Sequence, residues 1–367
     1  MRLILISPYH TGSHQAWARG YARHSAHDVH LLTMAGRFWK WRMQGGALEL
    51  ARQVRETAER TGPPDAVLVT DMVNLPALIA LARPWLNHAP IHLYAHENQL
   101  TYPPPPGEKR DLTYGMINVL SMVAADRIHF NSAYHRDEFF DELPRLLKHF
   151  PDYNHLEIIP QLREKSDVLP VGLELSDFDA FRPAAPEPGP LRILWNQRWE
   201  YDKNPGEFFR VLYALADEGL DFQLIVAGEN FRQQPAEFAE ARQRLARRII
   251  HFGFAESRAE YARLLWRADV VVSAARHEFF GVSVLEAIYC GAWPLLPDRL
   301  SYPELLPREL HAAHLYQDFD DLLAKLRWAL GHPQAVRAQN LASIAKPFRW
   351  ETVAKRYDDA VSRMRPR

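Results

Sequence analysis

The sequence predicts an α/β chain made of two doubly wound domains, and three observations carry that prediction. Short β-rich runs alternate with stretches of helical length, the alternation stops at a proline-rich segment and then restarts, and 367 residues exceed what one hydrophobic core usually organises. Sheets of this kind bind ligands at the carboxyl ends of their strands. The loops that follow each strand, and a cleft between the two domains, are therefore where chemistry is expected.

Residues 3–7, 29–33, 66–70, 91–95 and 127–131, each a short β-rich run, read as the strands of a first parallel sheet. The stretch 181–190 (FRPAAPEPGP) marks a connector, after which 192–196, 223–227, 249–252, 270–273 and 293–296 read as a second set. The expected organisation is a first domain over 1–172, a linker over 173–190 and a second domain over 191–346. A terminal segment, 347–367, should form a helix that packs back on the first domain.

Composition narrows the class. Lys plus Arg (44) balance Asp plus Glu (45), so net charge gives no argument for a polyanionic partner, although a neutral chain can carry a local basic face. Cys290 is the single cysteine, which rules out an intramolecular disulfide and points to a reducing compartment. The run Met1-Arg2-Leu3-Ile4-Leu5-Ile6-Ser7 suits a buried first strand better than a signal peptide, and the most apolar internal stretch, 72–82, is broken by Asn74 and Pro76. The expectation is a cytoplasmic protein without integral membrane association.

In the first half, Pro8-Tyr9-His10-Thr11-Gly12-Ser13-His14 leads into a helix, where Gly12 would let backbone N–H groups approach an anion. A tight strand-to-helix turn explains the same residues. His10 and His14 have the spacing of a helical zinc pair, but they bracket a glycine turn and lack the HExxH context, so no metal is expected there. His96-Glu97-Asn98-Gln99 gathers polar groups after the apolar run 91–95, and the segment Tyr102-Pro103-Pro104-Pro105-Pro106-Gly107 just beyond can continue neither helix nor ladder. His96 could hydrogen-bond a sugar hydroxyl and Glu97 could bind an acceptor; equally, His96 and Asn98 could satisfy loop backbone.

In the second half, Arg198 and Lys203 share the loop after 192–196 and supply the fork and point charge that a diphosphate leaving group requires. Glu200 and Asp202 offer the competing account of surface ion pairs. The segment His277-Glu278-Phe279-Phe280-Gly281-Val282-Ser283-Val284-Leu285-Glu286 follows the run 270–273. It holds a glycine turn and a helix start whose free N–H groups would face an anion between two carboxylates. Such an arrangement suits a ligand with hydroxyls at both ends, as in a sugar nucleotide.

The pair Glu278 and Glu286, preceded by Arg198, Lys203 and a strand-like Leu169-Pro170-Val171-Gly172-Leu173 and followed by Phe348-Arg349-Trp350-Glu351, resembles the retaining family 4 glycosyltransferases. That resemblance implies the GT-B fold, two Rossmann-like domains facing a cleft. It also implies that Arg198 and Lys203 hold the diphosphate, Glu278 the donor sugar and Glu286 the ribose, with His96 beside the reacting face. Catalytic roles are thus expected for His96, Arg198, Lys203 and Glu278, and donor contacts for Gly12, Arg198, Lys203, Glu278, Phe280, Gly281, Val282 and Glu286. Tyr9 to His14, Phe38-Trp39-Lys40-Trp41-Arg42, His96 to Pro103, Arg110-Asp111-Leu112-Thr113-Tyr114-Gly115 and Phe130-Asn131-Ser132 further resemble the tRNA-queuosine mannosyltransferase family. This closer resemblance implies GDP-mannose as donor and the queuosine of a tRNA anticodon as acceptor, with no metal or other cofactor. Acceptor contacts are expected from His14, Glu97, Asn98, Trp39 and Arg42.

Material for an RNA face exists, because Arg37, Lys40 and Arg42 alternate with Phe38, Trp39 and Trp41, and arginines recur at 242, 244, 247 and 248. Tryptophans in a core and arginines on a solvated helix face explain the same pattern. The implied mechanism is front-face displacement with electrostatic stabilisation of the leaving phosphate, in which Glu278 positions sugar and is no nucleophile. Glu278→Ala and Lys203→Ala are each expected to lose turnover while remaining folded. Asp177-Phe178-Asp179 and Asp318-Phe319-Asp320 read as chance or helix capping, not as metal sites. Other readings are a family 4 enzyme with another donor or acceptor, an epimerase or phosphorylase on the same fold, and a non-catalytic tRNA- or nucleotide-binding module.

Overall fold

A computed structural model describes the chain except for residues 87, 105, 106, 186, 229–234 and 364–367. Pro105 and Pro106 of the polyproline segment and Pro186 of the connector thus lie outside the described residues. Twelve strands run through the described residues: β1 Arg2–His10, β2 Asp28–Ala35, β3 Ala66–Thr70, β4 Ile91–Ala95, β5 Arg127–Phe130, β6 Ser166–Val168, β7 Arg192–Trp195, β8 Gln223–Ala227, β9 Ile249–Gly253, β10 Val270–Val272, β11 Trp293–Pro297 and β12 Leu315–Tyr316. They form two six-stranded sheets, ordered β2-β1-β3-β4-β5-β6 and β12-β11-β10-β7-β8-β9, and every pairing is parallel. Burial on both faces explains why Ala66–Thr70 and Ile91–Ala95 are apolar almost throughout.

The chain divides into two compact units, residues 1–173 with 350–367 and residues 174–349. Each has its own core: Ile4, Ile6, Val67, Val69, Leu93 and Ile128 anchor the first, and Ile193, Trp195, Leu224, Val226, Val270 and Val272 the second. Each sheet has one more strand than the sequence pattern predicts. The run 169–173 is not a strand; the three residues before it are, and pairing with β5 ends where Leu169 N donates to Phe130 O at 2.9 Å and Pro170 has no N–H to continue. Residues 174–190 are counted with the second unit, where a 3-10 turn at Ser176–Phe181 buries Phe178 and its carbonyl accepts from Trp266 Nε1.

Strand order fixes where loops converge. In the second sheet the chain leaves β7 toward one edge and returns to its other side as β10, so the loops after β7 and β10 open side by side. In the first sheet the same holds for β1 and β3. The terminal helix Trp350–Ser362 belongs to the first unit and is pinned by its first residue. Trp350 is fully buried and lies so close to Gly20 and Gly172 that a Cβ at either would fall 2.0 or 2.3 Å from its ring. Tyr357, two turns further along the same side of the helix, donates to Pro170 O at 2.9 Å and accepts from Trp17 Nε1 at 3.0 Å. Trp350→Ala is expected to lower stability by about 3–5 kcal/mol, as loss of a fully buried large aromatic does. Gly172→Ala should destabilise through overlap with the same ring. Urea denaturation of both variants checks this, and wild-type midpoints would contradict it.

Candidate active site

In the second unit the loop after β7 is built for one lysine. A 3-10 turn at Tyr201–Lys203 ends at Asn204, which takes a left-handed φ of 56°, and Pro205 then opens the helix Pro205–Asp217. Asn tolerates that conformation better than most residues, and its amide donates to Glu207 Oε2 at 2.8 Å. The turn directs Lys203 inward, where Nζ meets His277 O at 2.8 Å, Asp202 Oδ2 at 3.1 Å and Glu278 Oε2 at 3.3 Å. The loop after β10 is thus tied to the loop after β7, a tie repeated where Arg276 N donates to Asp202 O at 2.8 Å.

Beneath this pair lies a polar floor. Gln197 Nε2 donates to Ser273 Oγ at 2.8 Å and to Tyr302 OH at 3.3 Å, and Ser273 Oγ and Tyr302 OH are 2.6 Å apart. Gly281, at φ 107°, sets the start of the helix Val282–Tyr289, and a Cβ there would come within 3.0 Å of Leu305 Cδ1. Phe280 N donates to Glu278 Oε1 at 3.2 Å, so one carboxylate oxygen is held by backbone and the other by Lys203. Glu286, inside that helix, accepts from Tyr261 OH at 2.8 Å and Arg258 NH1 at 3.1 Å. Asn196 joins the same group through Tyr261 OH and Ser283 O.

Electrostatics follow the geometry. Burial would raise the Glu278 carboxyl, but Lys203 and the Phe280 N–H outweigh it and hold it below the usual range. Burial likewise disfavours charge on Lys203, yet Glu278 and Asp202 overcome this and push it upward. Asp202 is held low: burial is opposed by Lys203 and Arg198. Glu200 goes the other way, raised by burial against the pull of Arg198. Arg198 is half-exposed and pairs with Glu200 at 3.4 Å, so the ion-pair account describes part of this loop while Lys203 is committed to the interior.

In the first unit the polar groups after β1, β3 and β4 gather around His96. Its backbone N–H donates to Asp71 Oδ1 at 2.9 Å, its carbonyl accepts from Asn131 Nδ2 at 2.9 Å, and its ring lies 4.3 Å from that of His14, 4.7 Å from Trp17 and 4.8 Å from Tyr94. The ring Nε2 is buried without a protein partner. Burial first, then His14 and His135, lower its basicity, so the ring is neutral. Burial and then Glu97 push Asp71 up.

Not every residue singled out from sequence presents a group to a ligand. Asn98 is spent on its own loop: Oδ1 accepts from Leu100 N and Thr101 N at 3.0 and 2.8 Å, and Nδ2 donates to Thr101 Oγ1. These bonds describe a loop builder, as the backbone-satisfying account of Asn98 requires. Glu97 Oε1 accepts from Gln99 Nε2 at 3.0 Å. Gly12, at φ 48°, starts the helix Gly12–His24 with open space where a Cβ would stand. Trp39 packs edge-on against Tyr114 at 4.9 Å, and Arg42 donates to Ala35 O. His10 Nδ1 lies 3.2 Å from Ser7 Oγ, whereas His14 turns to His96. Asp318 caps the helix Phe319–Gly331 by accepting from Asp321 N, and Asp179 accepts from Tyr289 OH. Arg244 and Arg248 lie over Tyr213 and Phe222, with Asp217 and Asp221 beside them.

Sequence reasoning passed over Asp71, Gln197, Tyr261, Ser273 and Tyr302. Asp71 did carry a signal, an acid at the carboxyl end of a buried strand. Tyr302 carried none, since it reaches the site from 105 residues beyond Gln197.

His277 supplies a test of this burial. Desolvation, with Lys203 beside it, pushes its imidazole down from 6.5 to about 4. The folded protein therefore keeps it neutral while the unfolded chain takes up a proton below 6.5, so stability should fall as pH drops from 6.5 to about 4. His277→Asn is expected to make that decline shallower in urea midpoints measured across the window. An identical slope would contradict the assignment.

Comparison with known proteins adds to this geometry. Residues 2–173 match the family described as tRNA-queuosine alpha-mannosyltransferase N-terminal, and residues 177–346 match glycosyl transferases group 1. The tRNA-queuosine alpha-mannosyltransferase of Drosophila melanogaster is 32% identical over 346 residues, spanning 92% of this chain and 89% of its own. A GDP-mannose-dependent alpha-(1-6)-phosphatidylinositol dimannoside mannosyltransferase of Mycobacterium tuberculosis is 25% identical over 192 residues, 51% of this chain and 49% of its own. Among solved structures, sucrose-phosphate synthase from Thermosynechococcus elongatus matches with a TM-score of 0.71 at 14% identity, covering 99% of this chain and 98% of that one, which establishes likeness of fold. Two parallel six-stranded sheets with this likeness are the GT-B architecture that the motifs imply. With a full-length relative at this identity and both halves matched in order, the chain belongs to the tRNA-queuosine alpha-mannosyltransferase family.

Proposed function

We propose that the chain transfers mannose from GDP-mannose to the queuosine nucleoside of tRNA, with retention of configuration and without a metal ion. Membership of the family gives the reaction class, and the observation that carries the reading is the Lys203–Glu278 pair, held at the switch point of the second sheet. Among the described residues no helix is long and apolar enough to cross a membrane, and the single, buried Cys290 suits a reducing, cytoplasmic setting.

The donor half of the reaction falls to the second unit. Lys203 Nζ donates to His277 O at 2.8 Å and to Glu278 Oε2 at 3.3 Å and pairs with Asp202 Oδ2 at 3.1 Å, so that Glu278 Oε2 is the most distant of its three partners. In this reading a phosphate oxygen takes the place of Glu278, whose freed oxygen then accepts from a sugar hydroxyl. Arg198, half-exposed and held by a weak surface pair, swings to the same diphosphate. Backbone N–H groups at Gly281 and Val282 add the positive end of a helix, Phe280 flanks it, and Glu286, fixed by Tyr261 and Arg258, accepts from the ribose. Together these groups stabilise charge as it develops on the leaving phosphate, which is where electrostatic catalysis acts.

The acceptor half falls to the first unit. His96, neutral and with Nε2 lacking a protein partner, is suited to hydrogen-bond a hydroxyl close to the reacting carbon. His14, in contact with that ring, and Glu97 lie beside it, and Gly12 leaves the preceding turn open. Front-face displacement then needs no enzyme nucleophile, which agrees with a Glu278 carboxylate given over to backbone at one oxygen and to the donor sugar at the other.

The test is transfer of labelled mannose from GDP-mannose to queuosine-containing tRNA, with queuosine-free tRNA as control, UDP-glucose as competing donor and a chelator arm. Label on the queuosine tRNA alone, undiminished by chelator or UDP-glucose, is expected. Label on neither tRNA overturns the acceptor, and if GDP-mannose is then still bound or slowly hydrolysed the transferase reading stands with a different acceptor.

A further inference from the structure

At the start of the helix Trp39–Thr61 one aromatic ring is turned inward and two are turned out. Trp39 packs on Tyr114 beside Met43 and Met72, whereas Phe38 is 71% exposed and Trp41 55% exposed. Phe38 is held at φ 52°, a left-handed conformation uncommon for an aromatic residue, and so is displayed at some backbone cost. Trp41 lies flat along its helix over Gly45, where a Cβ would stand 2.6 Å from the ring. The rings therefore offer open faces on a rigid element, and the glycine leaves room for one of them.

Along the local sequence the charge has one sign, while across the fold the Asp111 carboxylate approaches Lys40. No Asp or Glu occurs between Asp28 and Glu49, while Arg37, Lys40 and Arg42 all fall there. The first turn of the helix carries no acid, so its positive end adds to the same field. Lys40 Nζ stands 5.6 Å from the Trp39 ring centroid and 5.7 Å from that of Tyr114. The patch also continues into the acceptor side of the site. Tyr9 packs against the Trp39 cluster, its ring lies 5.8 Å from that of His14, and His14 lies 4.3 Å from His96.

We infer that Phe38 and Trp41 form a stacking platform for unpaired nucleobases next to the acceptor nucleoside, with Arg37 and Lys40 on the adjoining phosphates. This rests on the reading of the acceptor as a nucleoside within tRNA. Single-stranded RNA is recognised through bases stacked on aromatic faces beside cations that track the backbone, and this patch supplies both within six residues, 37–42. Trp39, partly buried against Tyr114, is the anchor that fixes the platform.

The experiment measures KM and kcat for queuosine-containing tRNA with the full chain and its Phe38→Asn, Trp41→Ala and Trp41→Phe variants. Asn accommodates the left-handed backbone, so Phe38→Asn removes the ring without a folding penalty. Each ring loss is expected to raise KM about tenfold with kcat within twofold, and Trp41→Phe to recover most of it. Arg37→Ala with Lys40→Ala should flatten the salt dependence of tRNA binding, read by fluorescence anisotropy. Normal KM in both ring-loss variants overturns the platform. So does ring-dependent sedimentation with phosphatidylserine vesicles when tRNA kinetics are unchanged, which would assign the patch to a lipid surface. A wild-type protein that transfers to no tRNA overturns the platform too, but through the acceptor reading on which it rests.

Discussion

The second unit of this protein depends on one buried ammonium group. Lys203 joins the loop after β7 to the loop after β10 through His277 O and Glu278, with Asp202 beneath it. Taking such a charge out of water is costly unless its partners are in place, and removing one partner leaves the others buried and unbalanced. The same contact that positions Glu278 therefore holds two segments together that are about 75 residues apart, as the 74- and 75-residue spans of its hydrogen bonds show. A consequence is that Lys203→Ala, expected from sequence alone to lose turnover while remaining folded, should also carry a stability cost.

The first unit uses apolar material for the same purpose. The His96 ring is packed among His14, Trp17 and Tyr94, and the last two are in turn buttressed by Tyr357 of the terminal helix. The last turns of the chain thus support a ring at the carboxyl end of β4. A neutral imidazole in such a setting has a fixed orientation and an unspent polar atom, which is the pairing of rigidity and reactivity that a site requires.

Much of this was legible because buried parallel strands read as unbroken apolar runs, as in Ala66–Thr70 and Gln223–Ala227. The strands left out were those without that signature: Ser166–Val168 is polar and half-buried, and Leu315–Tyr316 has two residues. Glu278 and Lys203 were legible from their spacing and chemistry. The groups around them were not, because Tyr302, which bonds Gln197 and Ser273, and Tyr261 and Arg258, which bond Glu286, arrive through long-range packing that leaves no local pattern. Asn98 shows the opposite limit, a polar residue in a promising loop whose side chain closes an Asx turn. The basic-aromatic run 37–42 was visible as composition, yet only the structure separates Trp39, turned in, from Phe38 and Trp41, turned out.

The measurement that bears most directly on the shared role of Lys203 is a double-mutant cycle of Lys203→Met and Glu278→Gln, read as kcat/KM for mannosyl transfer with folded protein verified by circular dichroism. Residues that act as one unit give losses that do not multiply. If Lys203 and Glu278 act as one unit, the double variant is no worse than the poorer single variant. Losses that multiply would show that Lys203 and Glu278 act independently and would contradict that shared role.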